Sequence, residues 1–363
     1  IDGGTASATV TFTSGESPAS SLVGLTITGA GTAIYCAGTS CPTIRNCIIG
    51  REGGIAIERG LSNNITIVNC TIRGQNIVRV IQNLATARQY DYIQDAIDEA
   101  SNGDRIQVTE GTYYENINFG NKSLVLSSNA PLTTANPGAV IKAGPHAPVV
   151  TIAGGQGADC LIDGLILTGG SDGIYCSDTS PTIANCYITG NEGHGINFRR
   201  LCSSEISNCV ITGNKGHGIY GGLFTIGNSI IAGNRQDGIF GGSPTIINCT
   251  IVSNLRYGIY TFDATITNSI IYDNEGPAQM QLSSPMVAYC DIQGSFPGQG
   301  NIDADPCFAS PGYWGLPGNP PIPVQPDDPN AVWIDGDYHL MSRQGRWDPD
   351  SNTWVIDSRT SPC

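Results

Sequence analysis

Charged residues are scarce in this chain of 363 residues, at 13% where an ordinary soluble domain has about 25%. Basic residues are the scarcer kind: 17 Lys and Arg stand against 31 Asp and Glu, a net charge of −14 that argues against a nucleic-acid-binding face. No apolar run approaches the ~18 residues needed to cross a bilayer, which excludes a membrane-spanning helix. Disorder is excluded as well, because hydrophobic residues reach 40% and recur regularly.

What the sequence does have is repetition. An asparagine recurs after 23 residues and then at intervals of 20, in Asn185, Asn208, Asn228, Asn248 and Asn268. Short alternating segments such as 245–251 (TIINCTI), separated by Gly, Asn and Asp turns, predict strands rather than helices. A 20-residue repeat is too short for a helix pair, so we predict a parallel β-helix with stacked isoleucines in its core. The predicted columns are Ile183, Ile206, Ile226, Ile246 and Ile266; Ile188, Ile211, Ile231, Ile251 and Ile271; and Ile196, Ile219, Ile239 and Ile259.

The same signature appears earlier in the chain. Asn46 and Asn69 are again 23 residues apart, and residues 33–47 parallel residues 173–186. Between the two copies, residues 90–104 carry a helical apolar stripe followed by a glycine stop. We therefore predict an all-β, right-handed parallel β-helix in two tandem stretches with an intervening short helix. The predicted divisions are a first β-helical stretch at 1–75, a connector with a capping helix at 76–104, a second stretch at 105–300 and a C-terminal arm or cap at 301–363.

Two parts of the chain carry a family resemblance. Within 90–113, the pattern Tyr-x-x-Ile-Gln-Asp-Ala-Ile-Asp…Gly-Asp-x-Ile-x-Val-x-x-Gly-Thr-Tyr resembles the cap and first coil of secreted, pectin-lyase-like right-handed β-helix proteins. The phrases GNIDADPCF (300–308), DYHL (337–340) and the closing TSPC resemble the tail of bacterial β-helix repeat proteins common in planctomycete-type genomes. The resemblance implies the fold and an exported protein. It leaves the function open, because this fold hosts lyases, hydrolases, epimerases and non-catalytic surface proteins.

Two repeating columns have structural interpretations. The asparagines at the coil bends are predicted to form an amide ladder, each side chain bonded to its copies in neighbouring coils. The position after each of them alternates between Cys and Ser and is predicted to be a small buried core residue, since no CxxC metal spacing occurs. Among the 13 cysteines, Cys36 and Cys41 bracket a short loop and form a candidate disulfide, with free thiols as the alternative.

The residues that could carry chemistry lie mainly in the turn after the third strand of each coil. They make a basic, imidazole-bearing strip over 192–257, which could follow an acidic polysaccharide because successive coils are about 4.8 Å apart. A lyase would need a cation beside the uronate carboxylate and a base near the C5 proton. Solvated turn residues are the alternative interpretation. The candidate ligand-binding residues are His194, Arg199, Arg200, Lys215, His217 and Arg235, and the candidates for lyase catalysis are Lys215, His217, Arg235, Arg256 and Tyr257.

Other kinds of site are disfavoured by the motifs. GHG at 193–195 and 216–218 resembles the histidine motif of polygalacturonase-type hydrolases, but the companion Asn-x-Asp and Asp-Asp motifs are missing from the coils. We predict no cofactor and no metal site. The acidic residues of the tail are weak calcium candidates, with turn capping preferred. They are Asp303, Asp305, Asp335 and Asp337.

The C-terminal arm contains all four tryptophans. We predict that they pack the arm onto the last coils as a cap, with an exposed aromatic platform for sugars as the alternative. The leading functional hypothesis is an extracellular or cell-surface scaffold: a stalk, adhesin or assembly module that engages polysaccharide or other surface-protein subunits. The alternative is a polysaccharide lyase. Because the chain begins at Ile1 inside a coil, we expect either a piece of a longer protein or head-to-tail contact between copies.

Overall fold

The chain forms, in a computed structural model, a right-handed parallel β-helix in two tandem stretches separated by one short helix. The predicted fold class is therefore confirmed. The structure describes residues 8–13, 17, 19–28, 32–36, 42–49, 55–60, 65–68, 70–72, 75–79, 81–129, 138–154, 160–200, 202–276, 279–282, 285–318, 321–348, 351 and 353–363. No helix in these ranges has the length and apolar character that a membrane crossing requires.

The first stretch consists of three parallel sheets. One sheet has four strands: Ala8–Phe12, Thr32–Cys36, Ile55–Gly60 and Gln75–Arg79. The second has Ser21–Val23, Thr43–Arg45 and Thr66–Val68, and the third has Thr26–Ile27, Ile48–Ile49 and Thr71–Ile72. Their inward side chains, including Ile27, Ile34, Ile44 and Ile49, form a small core of their own.

Three longer sheets form the second stretch, named here in the order in which each coil visits them. Sheet 1 contains Gln89–Tyr90, Ile81–Asn83, Arg105–Val108, Val125–Ser128, Leu161–Asp163, Thr182–Ala184, Ser203–Ser207, Leu223–Gly227, Thr245–Ile247, Thr265–Thr267 and Met286–Ala288. Sheet 2 contains Gly111–Tyr113, Ala139–Lys142, Leu165–Thr168, Tyr187–Thr189, Val210–Thr212, Ile230–Ala232, Thr250–Val252, Ile270–Tyr272 and Asp291–Ile292. Sheet 3 contains Ile117–Asn118, Val150–Ala153, Ile174–Ser177, Ile196–Arg199, Ile219–Tyr220, Ile239–Phe240, Ile259–Tyr260 and Met280–Gln281.

The three predicted isoleucine columns are confirmed. In sheet 1, for example, Ile226 pairs with Ile206 in one neighbouring coil and with Ile246 in the other. The columns of sheets 2 and 3 are in the same register, and every member is buried at 0–1% exposure. At about 1.5–3 kcal/mol for each fully buried aliphatic side chain, these columns are the main source of stability.

The predicted helical segment is a helix at Ile93–Glu99, and it closes the core of the second stretch. Ile93, Ala96 and Ile97 are its buried face, and they belong to the same core as the isoleucine columns. The Glu115 carboxylate accepts the free N–H groups of Ile93 and Gln94 at 2.9 Å, which satisfies the N-terminal turn. The predicted connector also contains strands. Most of Gln75–Arg79 lies in it and extends the first stretch past residue 75, and Ile81–Asn83 pairs antiparallel with both Gln89–Tyr90 and Arg105–Val108.

The C-terminal arm lies against the outer face of sheet 2, along the side of the coils. It contains the antiparallel pair Phe308–Ser310 and Asp337–Leu340, a three-stranded sheet and a hairpin. The three-stranded sheet has Ile322–Pro323, Tyr313–Leu316 and Val332–Ile334, and the hairpin has Arg346–Asp348 and Thr353–Val355. Phe308 packs with the outward-facing Ala232 and Val252. The four tryptophans differ in burial, since Trp314 and Trp333 pack against the coils while Trp347 and Trp354 are exposed.

The Cys/Ser column is core, as predicted. Its members in the second stretch are buried, and thiols such as that of Cys209 donate to backbone carbonyls of the adjoining strands. Cys36 is buried, and Cys41 lies outside the described residues, so the candidate disulfide stays a prediction.

Candidate functional site

The candidate strip lies mainly in the turn between sheets 2 and 3, before the third strand of each coil and not after it as predicted. This turn contains three parallel columns of polar residues. The innermost is an asparagine ladder that is buried in every coil it crosses. The side-chain N–H of each asparagine donates to the side-chain oxygen of the asparagine in the next coil at 2.9 Å. The same oxygen also accepts the backbone N–H of the asparagine one coil earlier. The members are Asn191, Asn214, Asn234, Asn254 and Asn274. The ladder satisfies the polar groups at this bend, so its role is structural.

The sequence prediction placed an amide ladder elsewhere, on the Asn185 column. That column is outside the core and has a left-handed backbone, with φ between 50° and 55° at its five second-stretch members. Asparagine tolerates this conformation better than most residues. Side-chain hydrogen bonds join Asn208 to Asn185 and Asn248 to Asn228, so the prediction is confirmed for those pairs.

The second column of the turn contains Glu192, Lys215 and Arg235. Lys215 donates to both carboxylate oxygens of Glu192, at 2.7 and 2.9 Å. Arg235 donates to the Ala331 carbonyl at 3.0 Å, and its guanidinium lies 4.8 Å from the Trp314 ring centre. All three residues line a pocket of about 310 Å³ between the coils and the arm. Trp333 and Asn330 line the opposite side of this coil–arm pocket.

The third column is a ladder of side-chain acceptors, here called the turn ladder: Asp172, His194, His217 and Asp237. Each accepts a hydrogen bond from the backbone N–H of the equivalent residue one coil further on. Nδ1 of His194 accepts from His217 N–H at 3.1 Å, and Nδ1 of His217 accepts from Asp237 N–H at 3.1 Å. The two carboxylates do the same at 2.7 and 2.9 Å. The imidazoles are thus parts of the inter-coil bonding.

These hydrogen bonds restrict the protonation of the imidazole rings, most clearly at His194. Because Nδ1 accepts, a neutral ring must carry its proton on Nε2, and neither nitrogen then has a free lone pair. The pKa of His194 is lowered from 6.5 to about 4, mainly by burial; Asp172 opposes this effect, and His217 and Arg199 contribute to it. Oδ2 of the buried Asp237 lacks a hydrogen-bond partner and lies 3.1 Å from Nδ1 of His217, a favourable contact only when that nitrogen is protonated.

Aromatic rings stack beside the turn ladder on the outer face of sheet 3. Tyr220, Phe240 and Tyr260 occupy equivalent positions in successive coils, with ring centres 5.5 and 5.2 Å apart and planes within 11°. His194 stacks on Tyr220, and His217 stacks on Phe240 at 4.5 Å. The stack therefore covers ring faces of both imidazoles.

The side chains of the predicted strip do not form one site, because they lie in two different environments. Lys215 and Arg235 line the coil–arm pocket, whereas His194 and His217 pack in the aromatic stack. The Arg199 guanidinium lies 4.8 Å from the Tyr220 ring centre. Of the three remaining candidates, Arg200 is exposed near Asp178 and Arg256 is exposed. Tyr257 donates its backbone N–H to Asp237, and its ring tilts against Tyr260 of the aromatic stack.

The glycines of the two GHG motifs have a packing explanation. A Cβ placed on Gly218 would lie 2.6 Å from both the Gly238 carbonyl oxygen and a methyl carbon of Ile231. Gly195 is equally close to the coil that follows it. With the histidines in the turn ladder, both motifs are accounted for by the stacking of coils.

The four predicted acidic residues of the tail have different surroundings. Asp305 pairs with Arg359, and Asp337 pairs with Arg346. Asp303 accepts from the Ser295 hydroxyl, and burial raises the pKa of Asp335 from 3.8 to about 6. Within the part of the chain that the structure describes, no group of three or more His, Cys, Asp or Glu side chains could hold a metal ion.

Comparison with known proteins gives three kinds of similarity. The family described as "Right handed beta helix region" matches residues 145–262. A cell surface glycoprotein of Methanothermus fervidus is 36% identical over 124 residues, and the match covers 32% of this chain and 19% of the glycoprotein. The chain thus spans about a fifth of that relative's length.

Among solved structures, a mutant of the periplasmic alginate epimerase AlgG aligns with 76% of this chain and 78% of its own, at 10% identity and a TM-score of 0.33. The A-module of the mannuronan C-5 epimerase AlgE6 of Azotobacter vinelandii aligns with 79% of this chain and 90% of its own, at 11% identity and a TM-score of 0.29.

Proposed function

We propose that this chain is a non-catalytic β-helical module of a cell-surface protein: a scaffold in a stalk, an adhesin or an assembly. The proposal rests on one observation: the side chains predicted for catalysis make structural contacts within and between the coils. The imidazoles of His194 and His217 accept backbone N–H groups between coils, and Lys215 is paired with Glu192. The similarity to a cell surface glycoprotein supports the surface location.

A polysaccharide lyase is the alternative, and it would need a free base beside a cation. The cations Lys215 and Arg235 line the coil–arm pocket, whose lining does not include the turn-ladder histidines. Nδ1 of His217 contacts both the backbone N–H and the carboxylate of Asp237, and the ring stacks on Phe240, so this imidazole is engaged within the coils. The geometry therefore favours the scaffold over the lyase.

Within the scaffold proposal, contact with acidic glycans is assigned to the coil–arm pocket. Its volume of about 310 Å³ lies at the lower end of the range of about 300–1,000 Å³ for small-molecule sites. Lys215 and Arg235 supply positive charge there, partly balanced by Glu192, and two indoles supply apolar surface. Calcium binding by the tail aspartates is not part of the proposal, because arginines already neutralise Asp305 and Asp337.

The proposed self-association is head to tail. The strand Ala8–Phe12 pairs on one side only, with Thr32–Cys36, among the described residues. A strand edge of this kind can add a strand from another chain. The C-terminal arm is a poor donor, because it already packs against its own coils.

The deciding experiment is an assay for unsaturated uronates. The protein is mixed with alginate, pectate and glycosaminoglycans, and absorbance is followed near 235 nm. We expect no product, and we expect His217→Ala to lower the melting temperature because Asp237 N–H loses its acceptor. Product formation that Lys215→Ala or His217→Ala abolishes, and that the control Arg200→Ala leaves intact, would establish the lyase instead.

A further inference from the structure

The hairpin near the C-terminus has its polar face turned inward. Its strands Arg346–Asp348 and Thr353–Val355 pair antiparallel, with Trp347 directly opposite Trp354. Because side chains alternate along a strand, Arg346, Asp348, Thr353 and Val355 share the other face.

Ion pairs hold that inner face in place. The Arg346 side chain is only 15% exposed, and it lies 3.1 Å from Asp337, 3.0 Å from Asp357 and 3.8 Å from Asp348. Asp337 belongs to the strand that pairs with Phe308–Ser310, so the arginine anchors the hairpin to the core of the arm. An arginine shared by three carboxylates gives the hairpin one well-defined orientation.

The outer face is apolar and exposed. Trp347 is 44% exposed and Trp354 is 65% exposed. Ile356, two residues beyond Trp354, is 75% exposed. We call these three side chains the tryptophan face. Scattered apolar residues are ordinary on protein surfaces, but two tryptophans side by side on an anchored hairpin are a mark of a binding site.

Trp354 is held in position before any ligand arrives. Its indole nitrogen lies against Gly345, so closely that a Cβ on Gly345 would overlap the ring. Gly345 also has φ of +105°, a conformation that residues with side chains rarely adopt. A side chain that is already ordered loses little entropy on binding, which favours affinity.

We propose that the tryptophan face binds neutral glycans by stacking indole rings on pyranose rings. The C–H groups on the face of a pyranose carry partial positive charge and complement the negative face of an aromatic ring. The three side chains carry no charge, and a chain with a net charge of −14 repels polyanions away from its few cations. A neutral glycan therefore fits this face better than an acidic one.

The size of the face also favours a glycan over a protein. An aromatic side chain buries about 150–250 Å² at most, so two tryptophans and one isoleucine offer less than the ~800 Å² that each partner of a stable protein complex buries. A short oligosaccharide needs no more than two stacked rings. The inference extends the proposed surface role and uses neither the turn ladder nor the coil–arm pocket, so it can fail independently of the absorbance assay.

The test is native affinity electrophoresis of the whole chain through gels containing glucomannan, mixed-linkage β-glucan, xylan or polygalacturonate, with titrations followed by tryptophan fluorescence. We expect retardation by at least one neutral polysaccharide, and we expect Trp354→Ala or Trp347→Ala to weaken binding by about tenfold or more. Gly345→Ala should weaken binding too, because it displaces the Trp354 indole. Phe262→Ala is the matched control, since Phe262 is an aromatic side chain on the coils that is 75% exposed.

The two tryptophan substitutions should lower the melting temperature only slightly, because both side chains are exposed and lie outside the cores of the coils. Four results would overturn the proposal: no retardation by any neutral polysaccharide, binding to polygalacturonate alone, an equal loss in Phe262→Ala, or a dimer in sedimentation that Trp354→Ala dissolves. The last result would assign the face to a second copy of the chain.

Discussion

At the scale of single residues, the invariant asparagine of each turn shows what the sequence reveals and what it hides. Asn191, Asn214, Asn234 and Asn254 stand in the strip proposed for chemistry, yet each is fully buried and bonded to its neighbours. A usable signal was present: the asparagine never changes from coil to coil, whereas the residue after it is Glu, Lys, Arg or Leu. Invariance beside such variation indicates a packing constraint rather than a solvated turn.

His194 of the turn ladder makes stability depend on pH. Burial lowers the pKa of His194 to about 4 in the folded chain, whereas an unfolded histidine titrates near 6.5. Between these values the unfolded chain binds the proton and the folded chain does not, so this residue's contribution is full above pH 6.5 and is lost as the pH falls towards 4. We expect His194→Gln to remove that part of the pH dependence in melting temperatures measured from pH 7.5 to 4.5.

The pH dependence of His194→Gln must be compared with that of the wild type, because Asp335 changes stability with pH in the opposite direction. Its pKa is raised to about 6, so the folded chain holds a proton that the unfolded chain releases, and stability from this source declines as the pH rises from 4 to 6. Asp335→Asn should therefore make the loss of stability in acid steeper. Parallel pH curves for the wild type and His194→Gln would contradict the assignment.

At the scale of elements, the sequence phrases of the tail belong to segments that contact one another. GNIDADPCF and DYHL are far apart in sequence, but Phe308 pairs with Leu340 across two antiparallel strands. The closing TSPC joins them, since Ser361 N–H donates to the Met341 carbonyl and the Cys363 thiol contacts the buried Asp291 at 2.8 Å. The sequence predicted that an arm exists but not that it lies along the side of the coils. That placement depends on the small outward residues of sheet 2, such as Ala232, and no local pattern encodes such a match.

The docking of the arm can be tested through one glycine column. A Cβ on Gly233 would overlap the Trp333 indole, whereas on Gly190 the nearest atom would be the Thr168 hydroxyl at 3.2 Å. Both glycines have similar positive φ, 59° and 64°, so the backbone strain of an alanine is matched. We expect Gly233→Ala to lower the free energy of unfolding by about 1–3 kcal/mol more than Gly190→Ala does, because the indole is forced away.

Chemical denaturation followed by tryptophan fluorescence would measure that difference. Removal of residues 311–363 should likewise lower the melting temperature or cause aggregation, since it exposes the apolar outer face of sheet 2. Equal effects of the two alanines, with no change on removing the arm, would show that the arm contributes nothing to stability.

At the scale of the whole molecule, the period of the sequence predicted the architecture of the coils. Each coil repeats the same inward positions, so the columns, the sheets and the closing helix could be derived from spacing alone. The candidate site was less predictable, because the same turn can present side chains to solvent or use them between coils. His217 shows the difference: its residue type suits catalysis, but its contacts with Asp237 and Phe240 make it part of the stacking.

The two stretches should also unfold as separate units. The first has a small core that includes Ile34 and Ile44, and the second has a far larger core closed by the helix at Ile93–Glu99. In a solenoid each coil is stabilised mainly by its neighbours, so a stretch with few coils is the weaker unit.

We expect hydrogen exchange followed by mass spectrometry to show faster exchange in strands of residues 8–79 than in those of residues 105–292. Ile34→Ala should accelerate exchange in the first stretch alone, and Ile231→Ala, also fully buried, should act on the second. Uniform acceleration of both stretches by either substitution would mean one cooperative core, with contacts such as that between Tyr35 and Tyr114 coupling the two stretches more strongly than their separate cores indicate.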